Sequence, residues 1–285
     1  MTDRQSGTIG VHRFDKVDAS GEVEKLLEFL DRVEAMPQTV ARRRRAHELL
    51  ALRPGMTVAE IGCGLGTVAA ELAAIVGPAG KVYGFDLSEQ FIAAARSRAA
   101  GRAAQATGRA AQDNARAAVD FQVADALALP LPDAALDAYR AERVYMHIKS
   151  PEAALAEAFR VLRPGGRILV MDQDWDTLVL DGDLATTRMV TRGFADSLAN
   201  GMVARRMRPL LREAGFADIE VTLETTLETD GDQVGWLTGS FAKAALAGGL
   251  DPAIADAWLE DQQRRADEDC FLFASIHFIT TARRP

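Results

Sequence analysis

The sequence has few of the residues that usually mark a metal, disulfide or covalent catalytic site. Only two of its 285 residues are cysteine, Cys63 and Cys270, and they lie far apart. Neither a zinc site nor a disulfide framework is built from such a pair. The chain also lacks the H-E-x-x-H, G-x-S-x-G, C-x-x-C and P-loop patterns. We therefore expect no bound metal and no covalent nucleophile, and we expect a reducing, cytoplasmic location.

Positive charge and long apolar runs are also scarce. Lysine and arginine total 33 against 41 aspartate and glutamate, which gives a net charge of −8. Binding to nucleic-acid phosphates normally needs a basic face, so we expect no nucleic-acid partner. No apolar run reaches the length that crosses a membrane, and the polar N-terminus has no secretory pattern. With 48% hydrophobic residues, the chain can form one elaborated α/β domain.

A glycine-rich turn after a predicted strand is the most informative feature that is present. Residues 58–67 read V-A-E-I-G-C-G-L-G-T, which predicts a buried strand, a turn and the start of a helix. In that turn Gly62, Gly64 and Gly66 have no Cβ to keep the backbone away from a ligand. A second predicted strand ends at Asp86, about 20 residues further on, where a ribose-binding carboxylate is expected in such a unit.

These residues resemble the class I S-adenosylmethionine-dependent methyltransferases, most closely the UbiE/small-molecule type. The first motif of that family, E/D-x-G-x-G-x-G, matches E-I-G-C-G-L-G from Glu60 to Gly66. A passage from a predicted helix through Pro164-Gly165-Gly166 into a strand matches a second hallmark. The resemblance covers about residues 41–174 and implies S-adenosyl-L-methionine as the cofactor.

The expected fold is a Rossmann-like α/β domain. Its sheet has seven strands, mostly parallel with the last one antiparallel, and helices cover both faces. We expect a single methyltransferase domain, residues 1–285, that has an N-terminal helical extension or lid (1–52), a cofactor-binding core (53–174) and a substrate-side half (175–285) with a helical cap insertion (233–267) between the last two strands.

The resemblance also implies the cofactor-binding residues. Asp86 would accept hydrogen bonds from both ribose hydroxyls, and Leu87 would pack on the adenine. Asp125 and Ala126 would hold the adenine edge, although a turn cap also explains Asp125. Glu60 would orient the glycine loop or the cofactor amino group. The full predicted set is Glu60, Gly62, Gly64, Gly66, Asp86, Leu87, Asp125, Ala126, Ala141 and Glu142, the last two bordering the methionine part.

Methyl transfer from a sulfonium is a direct displacement, which needs alignment and exclusion of water. An oxygen nucleophile would also benefit from a base. His147 is the first candidate, with a structural histidine as the equal alternative, and Asp174 is the second. Tyr145 is expected to position the substrate. Trp175, Trp236, Phe241 and Trp258 suit either an apolar substrate pocket or core packing, and His12, His47 and His277 are expected at surface or strand positions.

Arg42 to Arg45 are consecutive and therefore point around their predicted helix. A solvated face explains them. The alternative hypothesis is that Arg43 or Arg44 reaches the carboxylate of the cofactor from an N-terminal lid. The Ala/Arg-rich stretch from residue 93 to residue 118 receives no function.

The leading prediction is methyl transfer to an oxygen or nitrogen of a small organic acceptor such as a natural product, with carbon also open. An NAD(P)-dependent oxidoreductase and a catalytically silent S-adenosylmethionine-binding protein are the alternatives. The G-x-G-x-G spacing argues against the oxidoreductase. The sequence identifies neither the acceptor nor the oligomeric state, so a homodimer stays open.

Overall fold

The structure is a computed structural model that describes residues 17, 18, 21, 23–105, 116–230 and 234–285. His12 and most of the predicted extension before residue 23 lie outside the described residues. So does the part of the Ala/Arg-rich stretch from residue 106 to residue 115.

Strands and helices alternate through the first half of the chain, as the sequence predicts. The strands are β1 (Thr57–Ile61), β2 (Lys81–Asp86), β3 (Ala118–Val123), β4 (Leu136–Glu142), β5 (Leu162–Gln173), β6 (Val179–Leu180), β7 (Ala217–Glu228) and β8 (Phe273–Arg283). The helices are α1 (Val23–Ala35), α2 (Pro37–Leu50), α3 (Thr67–Val76), α4 (Glu89–Gln105), α5 (Pro151–Val161), α6 (Leu184–Ser197), α7 (Val203–Glu213), α8 (Val234–Ala247) and α9 (Pro252–Asp267).

The strands form one eight-stranded sheet in the order β3-β2-β1-β4-β5-β8-β6, with β7 also paired to β8. β1 to β5 are parallel, and β8 runs antiparallel to β5 and β7. The predicted fold class is confirmed, but the predicted count of seven strands is wrong. The extra strand is β6, whose two residues are too few to show the period-two pattern of a strand.

The register brings the first half of β8 to the functional edge of the sheet. Gln173, the last residue of β5, lies opposite His277 in β8. The carboxyl ends of β1, β2, β4 and β5 therefore share an edge with residues 273–277. Ligands of open α/β sheets bind at this edge.

Helices bury both faces of the sheet, and alternate residues of each strand point to opposite faces. In β1, Val58 joins a core with Leu72 of α3, whereas Ala59 and Ile61 join the opposite core. That second core includes Leu155 of α5.

Two groups of helices lie beside the carboxyl edge. The first is α1 with α2. The second is the predicted insertion between the last two strands, which the structure forms as α8 and α9. Phe29 of α1 meets Trp236 of α8 edge to face, with ring centroids 4.9 Å apart. This contact joins the two groups over the edge of the sheet.

Candidate functional site

A cavity of about 290 Å³ opens at the carboxyl edge of the sheet. The loops after β1, β2 and β4 form one end of it, and β7, β8 and the end of β5 form the other. Helices α1, α2, α6 and α8 complete the wall. The cavity therefore unites the edge predicted to bind a cofactor with the half of the chain predicted to bind a substrate.

The glycine loop after β1 lies in the cavity wall. Gly62 and Gly64 line the cavity with φ of 65° and 48°, a backbone region that favours glycine. A Cβ on Gly62 would lie 2.4 Å from the side chain of Val144, so the loop packs directly on the chain after β4. The backbone N–H of Gly64 donates to Asp86 Oδ2 at 2.9 Å.

Gly66 is placed differently from the other two glycines and is not in the cavity wall. A Cβ there would lie 2.6 Å from the ring of Phe121 in β3, and its φ is 72°. The structure thus corrects the predicted cofactor contact of Gly66. This residue lets the loop pack against β3 and turn into α3.

Asp86 stands at the end of β2 with both carboxylate oxygens turned to backbone donors. Oδ2 accepts from Gly64 and Oδ1 accepts from Ser88 at 3.0 Å. Burial raises the pKa of Asp86, and the backbone N–H groups oppose this rise. Each oxygen keeps a lone pair for a ligand hydroxyl. Asp86 lines the cavity and so does Leu87, whose side chain is largely exposed.

Asp125 and Ala126 form the wall beyond Leu87. Asp125 Oδ1 accepts from the backbone N–H of Leu127 at 3.0 Å, which is the turn-capping contact weighed above. The cap uses one carboxylate oxygen and leaves the other for a ligand. Both functions of Asp125 are therefore compatible with its position.

A buried ion triad closes the floor beside the glycine loop. Arg140 of β4 is fully buried and lies directly opposite Glu60 of β1, while Glu142 lies two residues further along β4 on the same face. Its guanidinium donates to Glu60 Oε1 at 2.5 Å and to Glu142 Oε2 at 2.6 Å. The sequence reasoning missed Arg140, although the alternation R-A-E in β4 placed it on the side of Glu142.

Each carboxylate of the triad keeps one oxygen without a partner among the described residues, Glu60 Oε2 and Glu142 Oε1. Burial raises the pKa of Glu60 to about 8 against the pull of Arg140. For Glu142, Arg140, Arg143 and Arg42 together outweigh burial and lower the pKa to about 2. Both residues line the cavity, so their two free oxygens offer hydrogen-bond acceptors to a ligand, and Glu142 also offers a negative charge.

This donor and acceptor set fits S-adenosylmethionine. Its amino group and sulfonium are cations that suit the two unpartnered carboxylate oxygens. Its ribose diol suits the acceptors of Asp86. A pyrophosphate beside the ionised Glu142 would meet like charge. Ala141, predicted to border the methionine part, is instead fully buried within β4 and does not line the cavity.

Four residues are predicted to act on the acceptor, and two of them line the cavity while Asp174 and Tyr145 do not. His147 lines the cavity from a short 3-10 turn, and Trp175 lines it from the chain after β5. Asp174 does not line it and is fully buried. Its carboxylate is held by Arg205, with Oδ1 2.7 Å from Nη2, and it caps the turn at residues 175–177. This ion pair removes Asp174 as a candidate base.

Tyr145 is also corrected, because it is fully buried and absent from the cavity wall. Its hydroxyl lies 3.1 Å from that of Tyr139, and burial raises its pKa well above the usual value. Among the aromatic candidates Trp236 and Phe241 line the cavity. Trp258 does not, and its Nε1 donates to Thr187 Oγ1 at 3.1 Å.

The four consecutive arginines separate as the helical rotation requires. Arg43 pairs with Glu71 of α3 at 3.2 Å, Arg44 is exposed, and Arg45 pairs with Glu48. Neither Arg43 nor Arg44 lines the cavity, so the structure gives no support to the hypothesis that one of them reaches the cofactor. Arg42, buried to 4% exposure, is the arginine that lines the cavity.

Several polar residues of the cavity escaped the sequence reasoning. One signal was available, because Phe273, Ser275 and His277 alternate along β8 and share a buried face. His277 does lie in a strand, as expected, but it lines the cavity there. The missed polar residues at this end are Arg42, Gln173, Thr226, Ser275 and His277.

Within the described residues, no group of three or more histidine, cysteine, aspartate or glutamate side chains is placed to hold a metal ion. None of the helices described is long and apolar enough to span a membrane.

Comparisons with known proteins find methyltransferase relatives. Residues 59–170 match the Methyltransferase domain family, Methyltransf_11. A 37.1 kDa protein of a Streptomyces fradiae transposon is 36% identical over 75% of this chain and 59% of its own length. O-methyltransferase cnsE of Penicillium expansum is 34% identical over 59% of this chain and 54% of its own. The C-methyltransferase UbiE of Methylobacterium nodulans is 35% identical over 43% and 45%. The chain thus spans about half the length of these relatives.

Solved structures share the architecture. A phosphoethanolamine N-methyltransferase of Haemonchus contortus, bound to S-adenosylhomocysteine, superposes with a TM-score of 0.60. The match covers 98% of this chain and 61% of that one at 16% identity, which shows the fold alone. The [4+2]-cyclase SpnF matches with a TM-score of 0.52 at 25% identity, over 86% of this chain and 80% of that one. Residues 59–170 therefore match a methyltransferase domain, and the chain has homologues among the class I methyltransferases, including the UbiE type.

Proposed function

We propose that the protein uses S-adenosyl-L-methionine to methylate a small organic acceptor, with an oxygen as the first candidate for the methylated atom. One observation carries the proposal. A single cavity has a glycine loop, Asp86 and two carboxylate oxygens without a described partner at one end, and an aromatic wall that leads from there to a second, polar end. The O-methyltransferase relative supports oxygen as the target atom.

In this proposal some residues of the chain bind the cofactor, and others exclude water from the site. Gly62 and Gly64 let the backbone approach the cofactor, Asp86 accepts from its ribose, and Leu87, Asp125 and Ala126 border the adenine. Glu142 holds a negative charge beside the cationic part, and Glu60 offers a second oxygen there. The cofactor, when bound, supplies a methyl group already activated by a positive sulfur. Alignment in a closed apolar site is then the main catalytic requirement.

His147 is the proposed base for an acceptor hydroxyl, since it lines the cavity from the loop after β4. If it removes the proton, His147→Ala lowers the methyl-transfer rate by about 10²-fold or more and removes the limb of the pH profile due to the histidine. Cofactor affinity should stay unchanged in the same variant. A variant rate and pH profile equal to the wild-type ones would eliminate His147 as the base.

Calorimetry tests the cofactor directly. S-adenosylmethionine and S-adenosylhomocysteine should bind the full chain, whereas NAD and NADP should not. Glu142→Gln removes the negative charge near the cation and should weaken the binding of S-adenosylmethionine. Binding of NAD without binding of S-adenosylhomocysteine would refute the proposal in favour of an oxidoreductase. A screen of small acceptors with labelled methyl donor then tests turnover.

A second candidate is a protein that binds the cofactor but does not transfer its methyl group. The match to a [4+2]-cyclase at 25% identity favours keeping it, because that protein shares the fold. Cofactor binding without labelled product, together with chemical change of an acceptor, would support this candidate instead.

A further inference from the structure

We propose that the acceptor is an apolar carboxylic acid, and that Arg42 and His277 bind its carboxylate at the end of the cavity beneath β7 and β8. This inference rests on the proposed function, because it assigns a ligand to the half of the cavity that the cofactor does not take. It names the substrate class of that site.

Arg42 is a buried cation whose donors reach only hydroxyl groups among the described residues. Nη1 donates to Thr226 Oγ1 at 3.1 Å and Nη2 to Thr39 Oγ1 at 3.4 Å, while Nε has no partner among the described residues. No carboxylate oxygen of a described residue lies within 4.0 Å of the Arg42 guanidinium. The carboxylates of Glu142 and Glu224 act on it only from farther away.

An unpaired buried charge is costly, by several kcal/mol for a fully desolvated ion. Burial accordingly lowers the pKa of Arg42 to about 10, which still leaves the side chain cationic at neutral pH. A ligand carboxylate would pair with this cation and offset the cost.

His277 offers a second donor beside Arg42. Thr226 Oγ1 accepts from Arg42 and lies 2.9 Å from His277 Nε2, so the threonine hydroxyl proton can point to that nitrogen. The neutral ring then carries its own proton on Nδ1. Burial and the charge of Arg42 hold the pKa of His277 well below its usual value, and Nδ1 is buried without a partner among the residues described.

The position of His277 separates it from the glycine loop and Asp86. The glycine loop and Asp86 follow β1 and β2, whereas His277 lies on β8, three strands away from β1. At about 4.8 Å per strand spacing this is ~14 Å. A carboxylate held there would anchor the acceptor at a distance from the reacting methyl group.

The wall between the two ends is apolar and aromatic, which suits the body of such an acid. Trp175 and Phe194 stack edge to face with centroids 4.8 Å apart, and Phe241 lies 4.7 Å from Phe194. All three line the cavity. An acceptor with one charged end and a ring-containing body would match both surfaces.

The test compares 2-naphthoate with 2-naphthamide, which has nearly the same shape but no charge. Binding of each is measured by calorimetry to the full chain saturated with S-adenosylhomocysteine. We expect the acid to bind at least about tenfold tighter, as a charge-assisted pair implies. Arg42→Gln should remove that preference in a protein that still binds S-adenosylhomocysteine. Arg44→Gln, the exposed neighbour, is the matched control and should behave as the wild type.

Thr226→Val provides a second, nearly isosteric variant if Arg42→Gln fails to fold. It should reduce the preference for 2-naphthoate over 2-naphthamide. Equal wild-type binding of acid and amide would overturn the inference. So would an Arg42→Gln protein that loses S-adenosylhomocysteine but keeps the preference for the acid. A chain that binds no S-adenosylhomocysteine contradicts the proposed function on its own, and the acid–amide comparison without cofactor still tests the Arg42 site.

Discussion

Asp86 combines a structural and a proposed binding role in one carboxylate. It holds the glycine loop through Gly64 and the start of α4 through Ser88. Asp86→Asn replaces one acceptor with a donor, which leaves either a loop N–H or a ribose hydroxyl unpaired.

We expect Asp86→Asn to lower the affinity for S-adenosylhomocysteine about 10- to 100-fold, as measured by calorimetry. The reason is that hydrogen bonds to charged groups contribute about 1.5–3 kcal/mol. Asp133→Asn, which affects only a surface pair with Arg160, is the control and should bind normally. Unchanged affinity in Asp86→Asn would contradict the ribose assignment.

Asp172 is a buried carboxyl group in β5 outside the cavity wall. Burial raises its pKa from 3.8 to about 8. Between these values the folded protein binds more protons at this site than the unfolded chain does. Its contribution to the free energy of unfolding therefore falls as the pH rises from about 4 to about 8.

Asp172→Asn should remove that pH dependence. Relative to the wild type, the variant should gain up to ~1.4 kcal/mol per pH unit within the window, as measured by urea unfolding at pH 5, 6, 7 and 8. Asp256→Asn, on an exposed face of α9, is the control. Parallel profiles for wild type and Asp172→Asn would show that the group is ionised throughout.

At the level of helices and strands, the cap depends on one close approach. Gly193 of α6 faces Ala245 of α8, and a Cβ on Gly193 would lie 2.9 Å from Ala245 Cα. Gly235, in the first turn of α8, has open space at the corresponding point. The two glycines therefore offer the same chemical change in opposite environments.

Gly193→Ala should destabilise the protein by about 1–3 kcal/mol through overpacking. Gly235→Ala should be neutral or stabilise it by up to ~1 kcal/mol, since alanine is the better helix former. Urea unfolding compares them, and proteolysis of α8 reports whether the cap loosens first. Equal stability of the two variants would mean that α6 and α8 separate without cost.

The elements show which parts of the site can be read from a sequence. The glycine loop and Asp86 are local, since each follows a strand within a few residues, and the structure places both at the cavity. Arg42 and Arg43 share a helix and a residue type, yet one lines the cavity and the other pairs with Glu71. Only the rotation of α2 against α3 and β7 decides between them, and one sequence does not contain that rotation.

Asp174 and Tyr145 illustrate the opposite error. Both follow strands that end at the functional edge, which is why they were predicted to act there. Asp174 turns to Arg205 of α7, and Tyr145 turns to Tyr139, because buried polar groups require partners. These partners are 31 residues away in one case and 6 in the other, and only the packed structure selects them.

Across the whole molecule, the cavity is shared by segments from both ends of the chain. Leu30 and Val33 of α1, Arg42 of α2 and Leu237 of α8 all line it together with the glycine loop. Ligand binding should therefore stabilise helices that are distant in sequence. A ligand that binds only the folded, closed protein shifts the equilibrium between local opening and closing of these helices towards the closed form by mass action.

Hydrogen exchange with and without S-adenosylhomocysteine tests this coupling. We expect added protection in the glycine loop and after β2, and also in α1, α2 and α8, because they form one wall. Helix α9 has no residue in the cavity wall and serves as an internal control that should change little. Protection confined to the loops after β1 and β2 would show that the cofactor binds without closing the helices, and the acceptor half would then have to close independently.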